Sequence, residues 1–248
     1  NSLPGNLVVY EKPKSSVAES FRALRYNIGF FTGYEDKKII LVTSSISGEG
    51  KTFTSINLAT VMALSGKKTV IVGADMRRPR LYSDFQLTND KGLSNYLAGS
   101  ATINEIIQAT HIENLYLLGS GPVPPNPSEL LMRPVASELF NELLKRFDFV
   151  IIDSPPVNLI ADAFELAKYV HHTLYVVRQN YTPREALKMI ADYHATGRVK
   201  NISIVLNDIF RTGLGYGYGY GYGYGYGYGY GYYVYRDRNG RQADYYDD

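Results

Sequence analysis

Six short apolar runs recur along the chain, at 39–42, 70–72, 115–118, 150–152, 174–177 and 202–206, separated by segments long enough for helices. Each run is nearly continuous rather than alternating, the pattern of strands buried on both faces. Between and after them, helices are predicted at 52–65, ended by Gly66, at 128–146 after Pro127, at 161–169, and at 183–196 with Thr182 as cap. Ahead of the first run, residues 7–10 read as extended. Ser16-x-x-Glu19 then reads as a capping box opening a helix over about 15–32, with Val17, Phe21, Leu24 and Ile28 on one apolar face. Strands alternating with helices predict an α/β fold: a doubly wound, mostly parallel sheet with helices on both faces and ligand at the carboxyl ends of the strands.

The composition changes after Leu214. From 215 to 232 the chain alternates strictly between Gly and Tyr, and Tyr233, Val234, Tyr235, a charged spacer and Tyr245-Tyr246-Asp247-Asp248 follow. The expected organisation is therefore a domain at 1–214 and a tail at 215–248. Thirteen of the 23 tyrosines lie in this tail, and its only aliphatic residues are Val234 and Ala243. With glycine at every second position the ordering entropy is high, so a mobile segment is expected; the competing reading is a strand with one tyrosine face. Elsewhere 248 residues and 45% hydrophobic content suit one large packed domain. A chain without cysteine has no disulfide framework or thiolate metal site, which fits a reducing compartment. A net charge of +2 argues against a nucleic-acid partner, and no apolar run approaches the roughly 20 residues that span a bilayer. The chain opens Asn1-Ser2-Leu3-Pro4 without Met or a signal-peptide pattern, which suggests an excised domain whose N-terminal neighbours are missing.

Candidate chemistry begins between the first apolar run and the first long helix, at Ser44-Ser45-Ile46-Ser47-Gly48-Glu49-Gly50-Lys51-Thr52. Strand before and helix after is the setting of a phosphate-binding loop. Gly48 and Gly50 permit a tight turn whose N–H groups face phosphate oxygens, Lys51 reaches the β and γ phosphates, and the Thr52 hydroxyl can ligate Mg²⁺. The expected nucleotide contacts are Ser47, Gly48, Glu49, Gly50, Lys51, Thr52 and Phe53. In the general pattern a glycine would stand at position 45, where this chain has Ser45, so this is a glycine-poor variant of the loop. Two aspartates follow at strand ends. Asp75 lies in Val72-Gly73-Ala74-Asp75-Met76-Arg77-Arg78-Pro79, and Asp153 in Phe149-Val150-Ile151-Ile152-Asp153-Ser154-Pro155-Pro156, the setting of a carboxylate that orients Mg²⁺ through its waters. Arg77, Arg78 and Arg80 read equally as a phosphate or carboxylate contact and as solvated surface, and His171-His172 as an ordinary pair before a strand rather than metal ligands.

With these motifs in this order, the sequence resembles the bacterial tyrosine kinases of the polysaccharide co-polymerase type, the BY-kinases. The likeness rests on the 47–52 loop, the Asp75 motif, Asp153-Ser154-Pro155-Pro156, the C-terminal tyrosine cluster and Glu19-x-x-Arg22-x-x-Arg25, similar to that family's subunit-docking helix. It implies a P-loop NTPase fold using ATP and Mg²⁺, with Lys51, Asp75 and Asp153 catalytic and Thr52, Asp75 and Asp153 around the metal. It also implies autophosphorylation in trans of a tail whose acceptors include Tyr230, Tyr232, Tyr233, Tyr235, Tyr245 and Tyr246. The expected partners are further copies in a ring closed through Glu19, Arg22 and Arg25, a membrane-embedded co-polymerase segment or activator, and a cognate tyrosine phosphatase. The expected place is the inner face of the bacterial membrane, and the expected role lies in exopolysaccharide or capsule assembly.

One departure bears on activity. The family's second motif holds two aspartates one residue apart, and here the first is Gly73, leaving Asp75 to receive or polarise the tyrosine proton. Related ParA and MinD-like ATPases carry an extra lysine where this chain has Ile46, while Asn207 stands where the superfamily often presents an asparagine to adenine. Two other readings stay open: an ATP-dependent assembly switch without protein phosphorylation, and a binding module whose Gly-Tyr tail self-associates.

Overall fold

The computed structural model describes residues 5–31, 38–157, 162–199, 201–210 and 235–236. In chain order the elements are α1 (Val8–Glu11), α2 (Ser16–Phe31), β1 (Lys38–Ser44), α3 (Lys51–Leu64), β2 (Thr69–Gly73), α4 (Leu81–Asp84), α5 (Leu93–Ala98), α6 (Ile103–Ile106), β3 (Ile107–Ala109) and β4 (Leu115–Leu118). They continue with α7 (Pro127–Leu131), α8 (Pro134–Arg146), β5 (Phe149–Asp153), α9 (Asp162–Ala167), β6 (His172–Arg178), α10 (Arg184–Ala195), β7 (Ile202–Asn207), β8 (Ile209–Phe210) and β9 (Tyr235–Arg236).

Seven strands form one sheet in the order β3-β4-β2-β5-β1-β6-β7, parallel throughout except for the antiparallel β3–β4 pair. All six predicted strands are present. Every residue of β1 and β2 is buried, and the two-residue pleat divides them between two cores. Ile40, Val42, Ile71 and Ile151 pack with Ile56, Leu58 and Val61 of α3 and with Val17, Phe21 and Ile28 of α2. Ile39, Leu41, Val70, Val72, Val150 and Ile152 pack on the other face with Leu139, Phe140 and Leu143 of α8. At about 1.5–3 kcal/mol for each fully buried aliphatic side chain, this two-sided burial is what holds the central strands. The register then sets the site: Val42 pairs with Asp153, and Asp153 with Gly73, so the ends of β1, β5 and β2 stand in one row.

Several local expectations are corrected. Of residues 7–10, expected to be extended, Val8 to Tyr10 are helical and Leu7 is the cap, because α1 docks on α3, where the Val9 N–H donates to Asn57 Oδ1 at 2.9 Å and Asn57 Nδ2 to the Asn6 carbonyl at 2.7 Å. The cap of α2 is Ser15, whose Oγ accepts the Ala18 N–H at 3.2 Å; Ser16 is the first helical residue. The single helix expected at 128–146 is broken into α7 and α8, since Pro134 brings no N–H and holds Arg133 extended. Thr182 caps nothing, and Pro183 precedes α10 instead. The edge strand β3 was not foreseen; three half-exposed residues carry too short a pattern. Gly66 does end α3, with φ +84 and the paired bonds Gly66 N–H to Ala63 O and Lys67 N–H to Met62 O.

Among the described residues no helix is long and apolar enough to cross a membrane. The Gly-Tyr alternation and the expected acceptors Tyr230, Tyr232, Tyr233, Tyr245 and Tyr246 lie outside the described residues. The backbone of Tyr235 lies in β9, which pairs in parallel with β8 just after β7.

Candidate nucleotide and metal site

The loop between β1 and α3 turns at Gly48 and Gly50, with φ +87 and +97, a region that side-chain-bearing residues rarely adopt. Gly50 precedes the first residue of α3, so the helix N-terminus, with its free N–H groups and positive dipole end, opens onto the carboxyl edge of the sheet. Ser45 is tolerated in place of glycine because its hydroxyl has a use: it donates to Glu49 Oε1 at 2.7 Å, and both residues are fully buried. The same carboxylate accepts the Ile46 N–H at 2.8 Å and the Thr182 hydroxyl. Glu49 is thereby turned into the framework of the loop. Phe53 also points elsewhere, its ring packing edge-on against Phe21 at 5.9 Å in the core.

Lys51 opens α3 and is nearly buried. Desolvation lowers its pKa, against the raising influence of Asp153, Glu49 and Asp75. Thr52 Oγ1 donates to Asp153 Oδ2 at 2.8 Å, and Ser55 Oγ, one turn on, donates to Oδ1 at 3.2 Å. Asp153 is 5% exposed, and burial pushes its pKa up to about 6, although Thr52, Lys51 and Ser55 each pull it down. A buried carboxylate bonded to a hydroxyl, at a helix N-terminus made for phosphate, is a donor set of hard oxygens that fits Mg²⁺. Mg²⁺ keeps most of its waters and takes phosphate oxygens, so Thr52 and Asp153 are residues that could hold it.

Asp75, two residues beyond the Gly73–Asp153 pair, is half-buried. Its Oδ1 accepts the N–H groups of Arg77 at 3.2 Å and Arg78 at 3.0 Å, an Asx-type turn that orients the carboxylate. Arg77 is anchored in turn, donating to Ser128 Oγ at 2.8 Å and lying 3.6 Å from the buried Asp162, which also accepts from Ser128. Gly73 itself has no backbone need for glycine. A Cβ there would meet Leu81 and the Ser120 nitrogen at 3.4 Å, ordinary contact.

Asn207 ends β7 beside the loop, its Nδ2 donating to the Glu49 carbonyl at 3.0 Å. Three groups that sequence reasoning passed over converge there: Arg178, ending β6, and Tyr181 and Thr182 in the following turn. Their one sequence signal was position, directly after the apolar run 174–177; that Arg178 pairs in register with Asn207 is visible only in the fold. Ser55 was also missed, although it lies one turn after Thr52 on the same helix. Glu19, Arg22 and Arg25 are on α2, outside this cluster. Arg22 pairs with Glu19 and donates to the Pro13 carbonyl at 2.6 Å, while Arg25 reaches the Val61 carbonyl at 3.5 Å. His171 Nδ1 accepts the Ile39 N–H, and His172 Nε2 lies 2.9 Å from Ser203 Oγ.

A family model described as an AAA domain matches residues 37–171. Tyrosine-protein kinase YwqD of Bacillus subtilis is 35% identical over 202 residues, covering 82% of this chain and 85% of that protein. Among solved structures, the kinase domain of Escherichia coli tyrosine kinase ETK aligns with a TM-score of 0.79 at 33% identity, over 86% of this chain and 84% of that one. The chimerical protein CapA2B2 aligns with a TM-score of 0.76 at 39% identity, over 81% of this chain and 88% of that one.

Proposed function

Since the chain belongs to the bacterial tyrosine-protein kinases, we propose that it transfers the γ-phosphoryl group of ATP to tyrosines in the C-terminal tail, 215–248, of a neighbouring copy. The observation that carries this reading is the row Val42–Asp153–Gly73: it sets the phosphate loop, the Thr52–Asp153 pair and Asp75 at one edge of the sheet. The N–H groups of residues 47–53 cradle the phosphates and Lys51 balances the charge on the transferring group. Thr52, Asp153 and Asp75 would hold Mg²⁺ and its waters, and the ion would supply neutralisation of phosphate charge. Asn207 presents its amide oxygen to the amino group of adenine. In transfer the tyrosine Oη–Pγ bond forms as the bond from Pγ to the bridging oxygen breaks. ADP leaves, and Asp75 receives the hydroxyl proton. Charge stabilisation and positioning supply most of the acceleration in such a reaction, so one well-oriented carboxylate is enough.

The Glu19, Arg22 and Arg25 face of α2 is the proposed contact with the next subunit, a head-to-tail arrangement that closes into a ring. Each phosphotyrosine adds about −1.5 to −2 charges, so phosphorylated tails repel one another and loosen the ring. The setting proposed is capsule or exopolysaccharide assembly at the inner face of the membrane, with a membrane-embedded co-polymerase partner and a tyrosine phosphatase that resets the tail. Incubation with ATP and Mg²⁺, phosphate mapping by mass spectrometry and Lys51→Met alongside test the reading. Phosphotyrosine within 216–246 that vanishes in the variant is expected. An unmodified tail with measurable ATP hydrolysis would instead favour a nucleotide-driven assembly switch, the reading that Gly73, which lacks the first carboxylate, supports.

A further inference from the structure

The loop's outward face is gripped by side chains of β6, β7 and the turn between β6 and α10. When the N–H groups of a phosphate loop point at the ligand, its carbonyls must point away and find donors elsewhere. Here three consecutive carbonyls do so on side chains from the ends of the adjoining strands β6 and β7 and the turn after β6. Tyr181 Oη donates to Ser47 O at 2.9 Å, Arg178 Nη1 to Gly48 O at 3.0 Å, and Asn207 Nδ2 to Glu49 O at 3.0 Å. The donors are themselves fixed. Asp208 accepts from Arg178 Nε at 2.8 Å and pairs with its Nη2 at 2.8 Å, and the guanidinium carbon lies 4.9 Å from the centre of the Tyr181 ring. The loop's glycines are where this grip closes. A Cβ on Gly48 would come within 2.8 Å of Tyr181 Oη, and one on Gly50 within 2.1 Å of Asn207 Nδ2.

We propose that Arg178 and Tyr181 are positioning residues for the β-phosphate of the nucleotide: they hold the 47–49 carbonyls outward and so keep the loop's N–H groups aimed at the ligand. The inference rests on the loop binding nucleotide, but not on tyrosine being the acceptor. Arg178 acts as a planar fork shared between Gly48 and Asp208, a geometry that lysine's single ammonium does not reproduce. Tyr181 contributes one hydroxyl to the loop and one ring face to Arg178. Adenosine carries no phosphate and so does not call on these N–H groups.

The test is competition binding of ADP and of adenosine to the full chain, for the parent, Tyr181→Phe, Arg178→Lys and Arg178→Ala, with urea unfolding of each. Tyr181→Phe removes one hydrogen bond and should weaken ADP binding about 2- to 10-fold. Arg178→Ala should weaken it about 10-fold or more, as expected for a charge-assisted bond, with Arg178→Lys between it and the parent. Adenosine binding should stay within about twofold throughout, and the urea midpoint of Tyr181→Phe should match that of the parent. Unchanged ADP binding in Tyr181→Phe and Arg178→Ala would overturn the proposal, as would ADP and adenosine affinities falling together. A parent chain that binds ADP but phosphorylates nothing would refute the kinase reading and leave this one standing.

Discussion

Asp153 and Asp75 leave neighbouring strands of one sheet only two residues out of step, yet they meet opposite surroundings. Asp153 is buried, bonded to the hydroxyls of Thr52 and Ser55, and its pKa rises to about 6. Asp75 is half-buried and held by two backbone N–H groups in a turn of its own. Removing a carboxylate from water disfavours its charge, and a cation restores the balance, so the buried site suits a metal. The accessible one can meet an incoming hydroxyl. Environment, rather than residue type, sets the two carboxylates apart.

The largest effect expected from breaking this comparison is that of Asp153→Asn, which keeps one of the two oxygens that accept from Thr52 and Ser55 but loses the charge. Autophosphorylation should fall by about 100-fold or more and its Mg²⁺ requirement should rise, whereas Asp75→Asn should slow transfer with a smaller change in Mg²⁺ requirement. Magnesium titrations in which both variants shift equally would abolish the distinction. Next in size is Gly73→Asp. The Cβ fits at ordinary contact distance, and a second carboxylate at the row's end should raise the initial autophosphorylation rate about 10-fold, within what general-base help supplies. A rate equal to the parent's would mean that position 73 does not limit transfer.

The smallest effect sets the pH window in which the two carboxylates can be compared. Burial lowers the pKa of His172 in β6, so its ring resists the proton that the unfolded chain accepts at about 6.5. Here the unfolded state binds more protons, so stability is complete above about pH 6.5 and declines as pH falls towards the lowered folded value. Asp153, with its pKa raised to about 6, acts in the opposite sense over this range, so the His172 part is read as the difference between parent and His172→Gln urea midpoints from pH 7.5 to 5.5, which should widen as pH falls. Rates of the two Asp variants therefore belong at pH 7 and above.

The strands were legible because continuous apolar runs leave few alternatives once both faces of a sheet must be covered, and α3 was legible from its loop and from Gly66. The losses were local. Ser15 and Ser16 offer the same hydroxyl one residue apart, and only the geometry of the turn after Pro13 selects Ser15 as cap. Residues 7–10 carry a strand-like composition, but Asn57 receives their backbone as a helix. At the site, the motif residues were recoverable because phosphate and Mg²⁺ chemistry constrain both type and spacing. Arg178, Tyr181 and Thr182 were not, because a hydrogen bond across 130 or more positions leaves no periodic trace in the chain.

By itself the sequence determined the alternating architecture, the phosphate loop and the presence of a carboxylate after each of two strands, since burial patterns and ligand chemistry act over short stretches. Tertiary structure alone decided that Glu49 turns inward, that Asp153 is buried while Asp75 is only half-buried, and that the loop's carbonyls are held from β6 and β7. Those outcomes depend on strand order and register, which bring distant residues within hydrogen-bonding reach and fix how much water each keeps.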